Sequence, residues 1–330
     1  MEWDPSRFFR LEGSPSPYAL LVLNQPINEK AFGVLSEHAS YIICADGGAN
    51  RLYDMMKIHG KESTELPDRI IGDLDSILPQ VRKHYEDLGV SIIKDPDQYS
   101  TDFTKCLKYL NSHAAEIIIS PRHQKKKPSN KNQEGTSPNT PSPLSTLEIV
   151  ILGGLGGRVD QAFSQIHHLY MMTQTQRALR ESQEPNENQK IGPGAGGNLY
   201  LISEESITFV LQEGKNIIYT PATNRPDTDA DASADQDSIT QENQPPLKRK
   251  RDQETGAVME YFFEENIGII PLSAPASITT LGFEWDVEDW HTEIGGQLST
   301  SNHIRADKVE VSTSVPVLFT VELAQRLKRA

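Results

Sequence analysis

Residues 41–48 read YIICADGG and residues 69–75 read RIIGDLD. In each stretch an apolar run of strand length ends abruptly on Asp and Gly. A short, continuously apolar run bounded by turn formers is the signature of a strand buried on both faces, as in parallel sheets. Two further acidic clusters, Ser100-Thr101-Asp102 and Gly157-Arg158-Val159-Asp160, also follow apolar runs, and three of the four lead into helix-like patterns. Carboxylates at the ends of neighbouring parallel strands converge, because the crevice of an open α/β sheet lies beyond its strand C-termini. Acids gathered there repel one another unless a hard cation sits between them. Mg²⁺ suits such a site, held by one or two carboxylates together with substrate phosphates. The pattern points to metal-dependent phosphoryl transfer.

Outward from these stretches, residues 18–24 (YALLVLN), 90–93, 116–120, 147–152 and 198–203 also read as strands. Helices are predicted over 29–38, 49–59, 79–88 and 162–172, and after residue 102, where Phe103, Leu107 and Leu110 recur at helical spacing. Alternating strands and helices predict a doubly wound parallel sheet. After residue 205 the character is β, in runs 268–272, 277–287 and 308–322. Leu281, Phe283, Trp285 and Val287 fall on one face at period two, and Val315, Val317, Phe319 and Val321 do the same. The expected fold is α/β plus all-β. Residues 1–204 form an N-terminal doubly wound α/β/α catalytic domain, and residues 205–330 form a β-sandwich or flattened barrel. Three stretches near 121–146, 181–197 and 222–256 are rich in Pro, Asn, Ser, Asp and Gln and read as insertions with too little apolar surface to order themselves.

The net charge of −14 argues against a nucleic-acid binder, which needs a basic patch. Cys44 and Cys106 both lie in apolar runs; two cysteines make no disulfide framework or zinc spacing, and a reducing compartment is the default. The first residues lack a cationic start followed by an apolar stretch, and no run reaches the roughly 18 apolar residues of a spanning helix. A soluble, cytoplasmic protein is expected, with no membrane partner. Lys248-Arg249-Lys250-Arg251 reads as a solvated charge run, with nuclear import as the alternative.

Motif by motif, Asp73 and Asp75 on an extended backbone point to the same side, with Leu74 directed inward. Their alternative is a surface turn. Ser100-Thr101-Asp102 caps the following helix, whose N-terminus can also meet phosphate oxygens, with Lys105 adding charge. The run Gly153-Gly154-Leu155-Gly156-Gly157-Arg158 after a strand is a context for a phosphate cradle. It is not a dinucleotide fingerprint, because Val159 stands where the last glycine is required, and the chain has no Walker-type lysine motif. Gly47-Gly48 offers a second concavity. In the β region, Trp285 reads by itself as core, on the apolar face with Leu281 and Phe283, and residues 295–302 as a hairpin loop. His167 and His168 read as packing or surface residues.

Six blocks together resemble the thiamine pyrophosphokinase family: ADGGANRL (45–52), GDLDS (72–76), QYSTDFTK (98–105), GGLGGRVDQ (153–161), TLGFEW (280–285) and LSTSN (298–302). They run in order through the chain from about residue 18 to 322, and the insertions fall between them. The resemblance implies transfer of pyrophosphate from ATP to thiamine with Mg²⁺, giving thiamine diphosphate and AMP. It also implies a homodimer whose thiamine site lies between the α/β domain of one subunit and the β domain of the other. By position it makes Asp46, Asp73, Asp75 and Asp102 the catalytic acids, with Asp73, Asp75 and Asp102 on the metal. It makes Gly47, Gly48, Asn50, Arg51, Gln98, Ser100, Thr101, Lys105, Arg158 and Asp160 the nucleotide contacts. Trp285, Ser299, Ser301 and Asn302 would hold thiamine. Two rivals use the same residues: a metal-dependent nucleotide phosphohydrolase, which has no need of the Trp285 domain, and a non-catalytic thiamine or nucleotide sensor, which has no need of three retained acids.

Overall fold

The computed structural model describes residues 1–122, 145–181, 194–226 and 260–329. Most of each predicted insertion, and the basic tetrad at 248–251, lies outside the described residues. The chain opens with β1 (Glu2–Trp3) and a 3-10 turn (Pro5–Phe9). It then alternates β2 (Tyr18–Val22), α1 (Glu29–His38), β3 (Tyr41–Ala45), α2 (Gly48–Ile58), β4 (Arg69–Gly72), α3 (Pro79–Asp87) and β5 (Ser91–Lys94). Helices α4 (Asp102–Ser112) and α5 (Ala114–Ile119) follow, then β6 (Glu148–Leu152), α6 (Val159–Glu181) and β7 (Leu199–Ile202).

These strands lie parallel in the order β5-β4-β3-β2-β6-β7. Their order reverses between β2 and β6, as a doubly wound sheet requires. Both faces are covered. Leu20 and Val22 point to Leu35 of α1, Leu52 of α2 and Val81 of α3, while Ala19 and Leu21 join Leu107 of α4 and Leu169 of α6. Every residue of β2 is buried, which is why it reads as one apolar run.

The expected strand over 116–120 is instead the helix α5. Three successive isoleucines mimic a strand, but Ala114, Ile117 and Ile118 face the core at helical spacing and Ile119 is exposed. Helix α6 runs beyond its predicted end into the first residue of the insertion predicted at 181–197, and residues 196–198 are buried, so that insertion is shorter than its composition suggests. The Cβ of any residue other than Gly at position 197 would sit 1.9 Å from the Leu147 carbonyl oxygen.

The remaining strands are β8 (Ser206–Leu211), β9 (Gly214–Tyr219), β10 (Thr223–Asn224), β11 (Phe263–Pro271), β12 (Ala276–Leu281), β13 (Trp290–Thr292), β14 (Ser299–His303), β15 (Lys308–Thr313) and β16 (Val317–Leu323). The parallel sheet does not end at β7. It continues through antiparallel β8, β16 and β11, with β14 on β11. A second sheet, in the order β1-β9-β15-β12-β13, closes the sandwich. Val317, Phe319, Val321 and Leu323 fill its core at the period read from sequence. The 308–322 run divides into β15 and β16, broken before Pro316. Trp3 of β1 stacks on Phe209 at 4.9 Å, and Arg7 pairs with buried Glu148 of β6 at 3.1 Å, so the N-terminal arm ties the two halves together. Among the described residues no helix is long and apolar enough to cross a membrane.

Candidate active site

Asp46, Asp73 and Asp102 converge at the C-terminal edge of the parallel sheet. Asp46 follows β3, Asp73 follows β4, and Asp102 opens α4 after β5. One carboxylate oxygen from each lies within 4.8 Å of the others, the one such group among the described residues. Gly72 makes the convergence possible. A Cβ there would lie 2.5 Å from the Asp46 Cβ and 3.1 Å from Asp102 Oδ1.

The three acids differ in environment. Asp46 is fully buried, with a left-handed backbone (φ 39°) that non-glycine residues adopt rarely. Its two oxygens accept from the Ser76 and Ile77 amides, each at 3.0 Å. Burial raises its pKa; the two amides oppose that rise, and the charges of Asp102 and Asp75 add to it. For Asp73, slight desolvation opposes ionisation. Hydrogen bonds from the Asp75 amide and the Gln98 side chain, with the charge of Lys105, outweigh it and leave the pKa lowered. Asp102 accepts from Lys105 Nζ at 3.1 Å. Lys105 is almost wholly buried; desolvation works against its charge, yet the Asp102 hydrogen bond and neighbouring acids raise its pKa.

Residues 73–75 are not extended. Leu74 adopts φ +65°, so the Asp-Leu-Asp stretch is a turn. Leu74 packs on the core as expected, but Asp75 lies outside the group of three, its carboxylate accepting from Ser76 Oγ at 2.8 Å.

Several other sequence candidates hold this edge in shape. Gly48 lets α2 approach β2 so closely that a Cβ would be 2.2 Å from the Val22 carbonyl. Gly47 packs on Asn24, which accepts from Arg51 Nε at 3.1 Å. Asn50 clasps the 76–78 loop through Ser76 O and the Leu78 amide. Thr101 caps α4 by accepting from the Thr104 amide, and Ser100 accepts from Lys108. Arg158 and Asp160 are exposed and form a two-pronged ion pair, at 3.1 and 2.6 Å. The glycine loop that carries Arg158 sits at the point of strand reversal, where Gly153 (φ 68°) packs on the Leu23 and Gln25 carbonyls. Asn24 and Gln25 carry no motif, and only the fold brings them here.

The β sandwich holds a separate groove of about 420 Å³, within the range of small-molecule sites. Ile278 and Thr280 of β12, Trp290 of β13 and residues 298–302 line it, together with Trp285 and Val287. Ser299, Ser301 and Asn302 are therefore brought to Trp285 as expected. The local reading of residues 277–287 as one strand is overturned. Strand β12 ends at Leu281 and the chain turns at Gly282 (φ 96°), with Asp286 accepting from the Gly282 and Phe283 amides. Phe283 is buried, whereas Leu281 and Trp285 are 60% and 55% exposed, so Trp285 is not core. Trp290 and Ile278 were not singled out in the sequence, and Leu298 only as the first residue of the 298–302 block; nothing in the spacing of the three connects them.

A carboxylate cluster at the edge of a doubly wound sheet, joined to a β sandwich with an aromatic groove, defines a two-domain α/β–β protein with a site able to hold a metal ion. Residues 32–180 match the thiamin pyrophosphokinase catalytic domain, and residues 250–318 match the thiamin pyrophosphokinase vitamin B1 binding domain. Thiamine pyrophosphokinase 1 of Arabidopsis thaliana is 28% identical over 315 residues, covering 93% of this chain and 86% of its own. Thiamine pyrophosphokinase of Saccharomyces cerevisiae is 27% identical over 323 residues, with 92% and 85% covered. The solved thiamin pyrophosphokinase from Candida albicans superposes with a TM-score of 0.64 at 25% identity, over 98% of this chain and 93% of that one. This chain belongs to the thiamine pyrophosphokinase family.

Proposed function

We propose that this protein transfers the pyrophosphoryl group of ATP to the hydroxyl of thiamine, releasing AMP. The observation that carries this reading is the convergence of Asp46, Asp73 and Asp102 on a chain that also has the Trp285 groove. The hydroxyl oxygen bonds to the β-phosphorus, the bond from that phosphorus to the α–β bridging oxygen breaks, and AMP leaves with the bridging oxygen. The hydroxyl proton passes to solvent. Such transfers depend on positioning and charge neutralisation more than on covalent help from the protein.

Mg²⁺ fits the donor set, which consists of hard carboxylate oxygens gathered at one point. When bound, it neutralises phosphate charge. Asp73 and Asp102 are the residues to hold it. Asp46, with both oxygens engaged by amides, braces the turn that carries Asp73. Gln98 orients Asp73, and buried Lys105 steadies Asp102 and adds a fixed positive charge. Arg158 must part from exposed Asp160 to meet a phosphate.

Thiamine is assigned to the groove, where its cationic ring meets Trp285. No residue of the acid cluster lines that groove, and its own Trp285 is half exposed. A second copy that brings its groove to the first copy's acids accounts for both facts. Incubating the purified chain with ATP, Mg²⁺ and thiamine tests the reading directly: AMP and thiamine diphosphate should form one for one. ADP, or nucleotide turnover without loss of thiamine, would overturn it. Mixing Asp73→Asn with Trp285→Ala subunits tests the shared site, because mixed dimers regain one intact site and activity at low thiamine should exceed the sum of the parents.

A further inference from the structure

Behind the groove lies a chain of charged side chains with no assigned role. His303, at the end of β14, places Nδ1 2.7 Å from Glu284 Oε2. Arg305 bonds that same carboxylate and also Glu265 of β11. The backbone repeats the connection, with the Glu284 amide donating to the His303 carbonyl at 2.9 Å. The imidazole is thus held at Nδ1, and its backbone is tied to the same residue. Its ring centroid lies 5.1 Å from that of Trp285, at an interplanar angle of 45°. Trp285 lines the groove and His303 does not, so the imidazole meets the indole from outside the ligand space.

The indole needs such support. Trp285 is 55% exposed at the tip of a turn, and its backbone is clamped by Asn302, which accepts from the Trp285 amide at 3.1 Å and donates to its carbonyl at 2.8 Å. That clamp sets the backbone but leaves the side-chain torsions free. An exposed side chain that must be ordered on binding loses affinity to the entropy of ordering. A ring already backed by a fixed neighbour loses less. Nδ1 lies 2.7 Å from the Glu284 carboxylate and 3.2 Å from Arg305 Nη2, so the ring is anchored through this one nitrogen.

We infer that His303 is a positioning residue for the groove ligand, acting through Trp285, with Glu284, Arg305 and Glu265 locking the imidazole. The inference rests on the assignment of thiamine to the groove. Its role is affinity for the cationic ring; it touches neither the nucleotide nor the reacting atoms.

The test uses the full-length chain as His303→Ala, His303→Phe, Glu284→Ala and Trp285→Ala, with KM for each substrate, kcat and melting temperature measured together. His303→Ala should raise the thiamine KM about 2- to 12-fold, the range set by loss of one aromatic contact. ATP KM and kcat should stay at parental values, with melting nearly unchanged. His303→Phe, which keeps a flat ring without the hydrogen bond, should recover most of the loss, and Glu284→Ala should shift thiamine KM in the same direction by less. If Trp285→Ala raises thiamine KM but His303→Ala does not, the positioning role is overturned while the groove assignment stands. If neither variant moves thiamine KM, the groove assignment itself fails. Equal damage to both substrates with a clear drop in melting temperature would make His303 merely structural and overturn the proposal.

Discussion

The acid cluster and the groove are built by opposite means. At the cluster, Asp46 and Asp73 follow the buried strands β3 and β4 beside glycines, Asp102 opens a helix next to its cap, and their partners are backbone amides, Gln98 and the near neighbour Lys105. At the groove, the walls come from both sheets of the sandwich. β12 and β13 belong to one sheet and β14 pairs with β11 of the other. The cluster is hydrogen-bonded at each acid and partly buried; the groove presents a half-exposed tryptophan. A site that must hold repelling charges together needs the backbone to fix them in advance. A site for a flat organic ring needs a surface, and its affinity depends on how well that surface is ordered beforehand.

The sharpest way to break this comparison is at Asp73 and Asp102. Exchange of either for Asn removes charge at nearly constant volume and should lower kcat about 100- to 1000-fold, as loss of one charge-stabilising group does elsewhere. Circular dichroism should show the fold intact. Asp75→Asn, outside the group of three, should cost much less; equal losses at 73 and 75 would return Asp75 to the metal. Gly72→Ala attacks the same cluster through space alone. Its Cβ, 2.5 Å from that of Asp46, should depress activity severely and destabilise the chain by about 1–3 kcal/mol, read as lower kcat with a reduced melting temperature.

On the groove side, Trp285→Ala should weaken thiamine binding about 3- to 30-fold, the value of a cation over an aromatic face. ATP affinity should be unchanged, and melting nearly so, because the side chain is half exposed. A large stability loss would restore Trp285 to the core. The smallest effect is expected from replacing residues 227–256 with a short Gly/Ser linker. Closure entropy depends weakly on loop length, and the pairing of Thr223 with Phe263 lies outside the deletion. Turnover and solubility should both survive; loss of either would assign that segment a contact with the folded protein.

Local order was legible in the sequence wherever neighbours in the chain are also neighbours in space. The doubly wound sheet and the strand-end position of Asp46 and Asp73 followed from apolar runs that stop at Asp and Gly, and the place of Asp102 at a helix start followed from its Ser-Thr-Asp cap pattern. Only the tertiary structure showed that residues 73–75 turn instead of running extended, leaving Asp75 outside the tight group of Asp46, Asp73 and Asp102, because the left-handed backbone at Leu74 leaves no mark on composition. It also decided that residues 114–119 form a helix, since three isoleucines suit either a strand or a buried helix face until neighbours choose between them. The groove was legible least of all. Trp285 by itself looked like core, and its exposure, its neighbour Trp290 and its support from His303 depend on strands paired far apart in sequence. Periodicity records which residues are apolar; whether an apolar residue faces the interior or a ligand depends on where the chain turns.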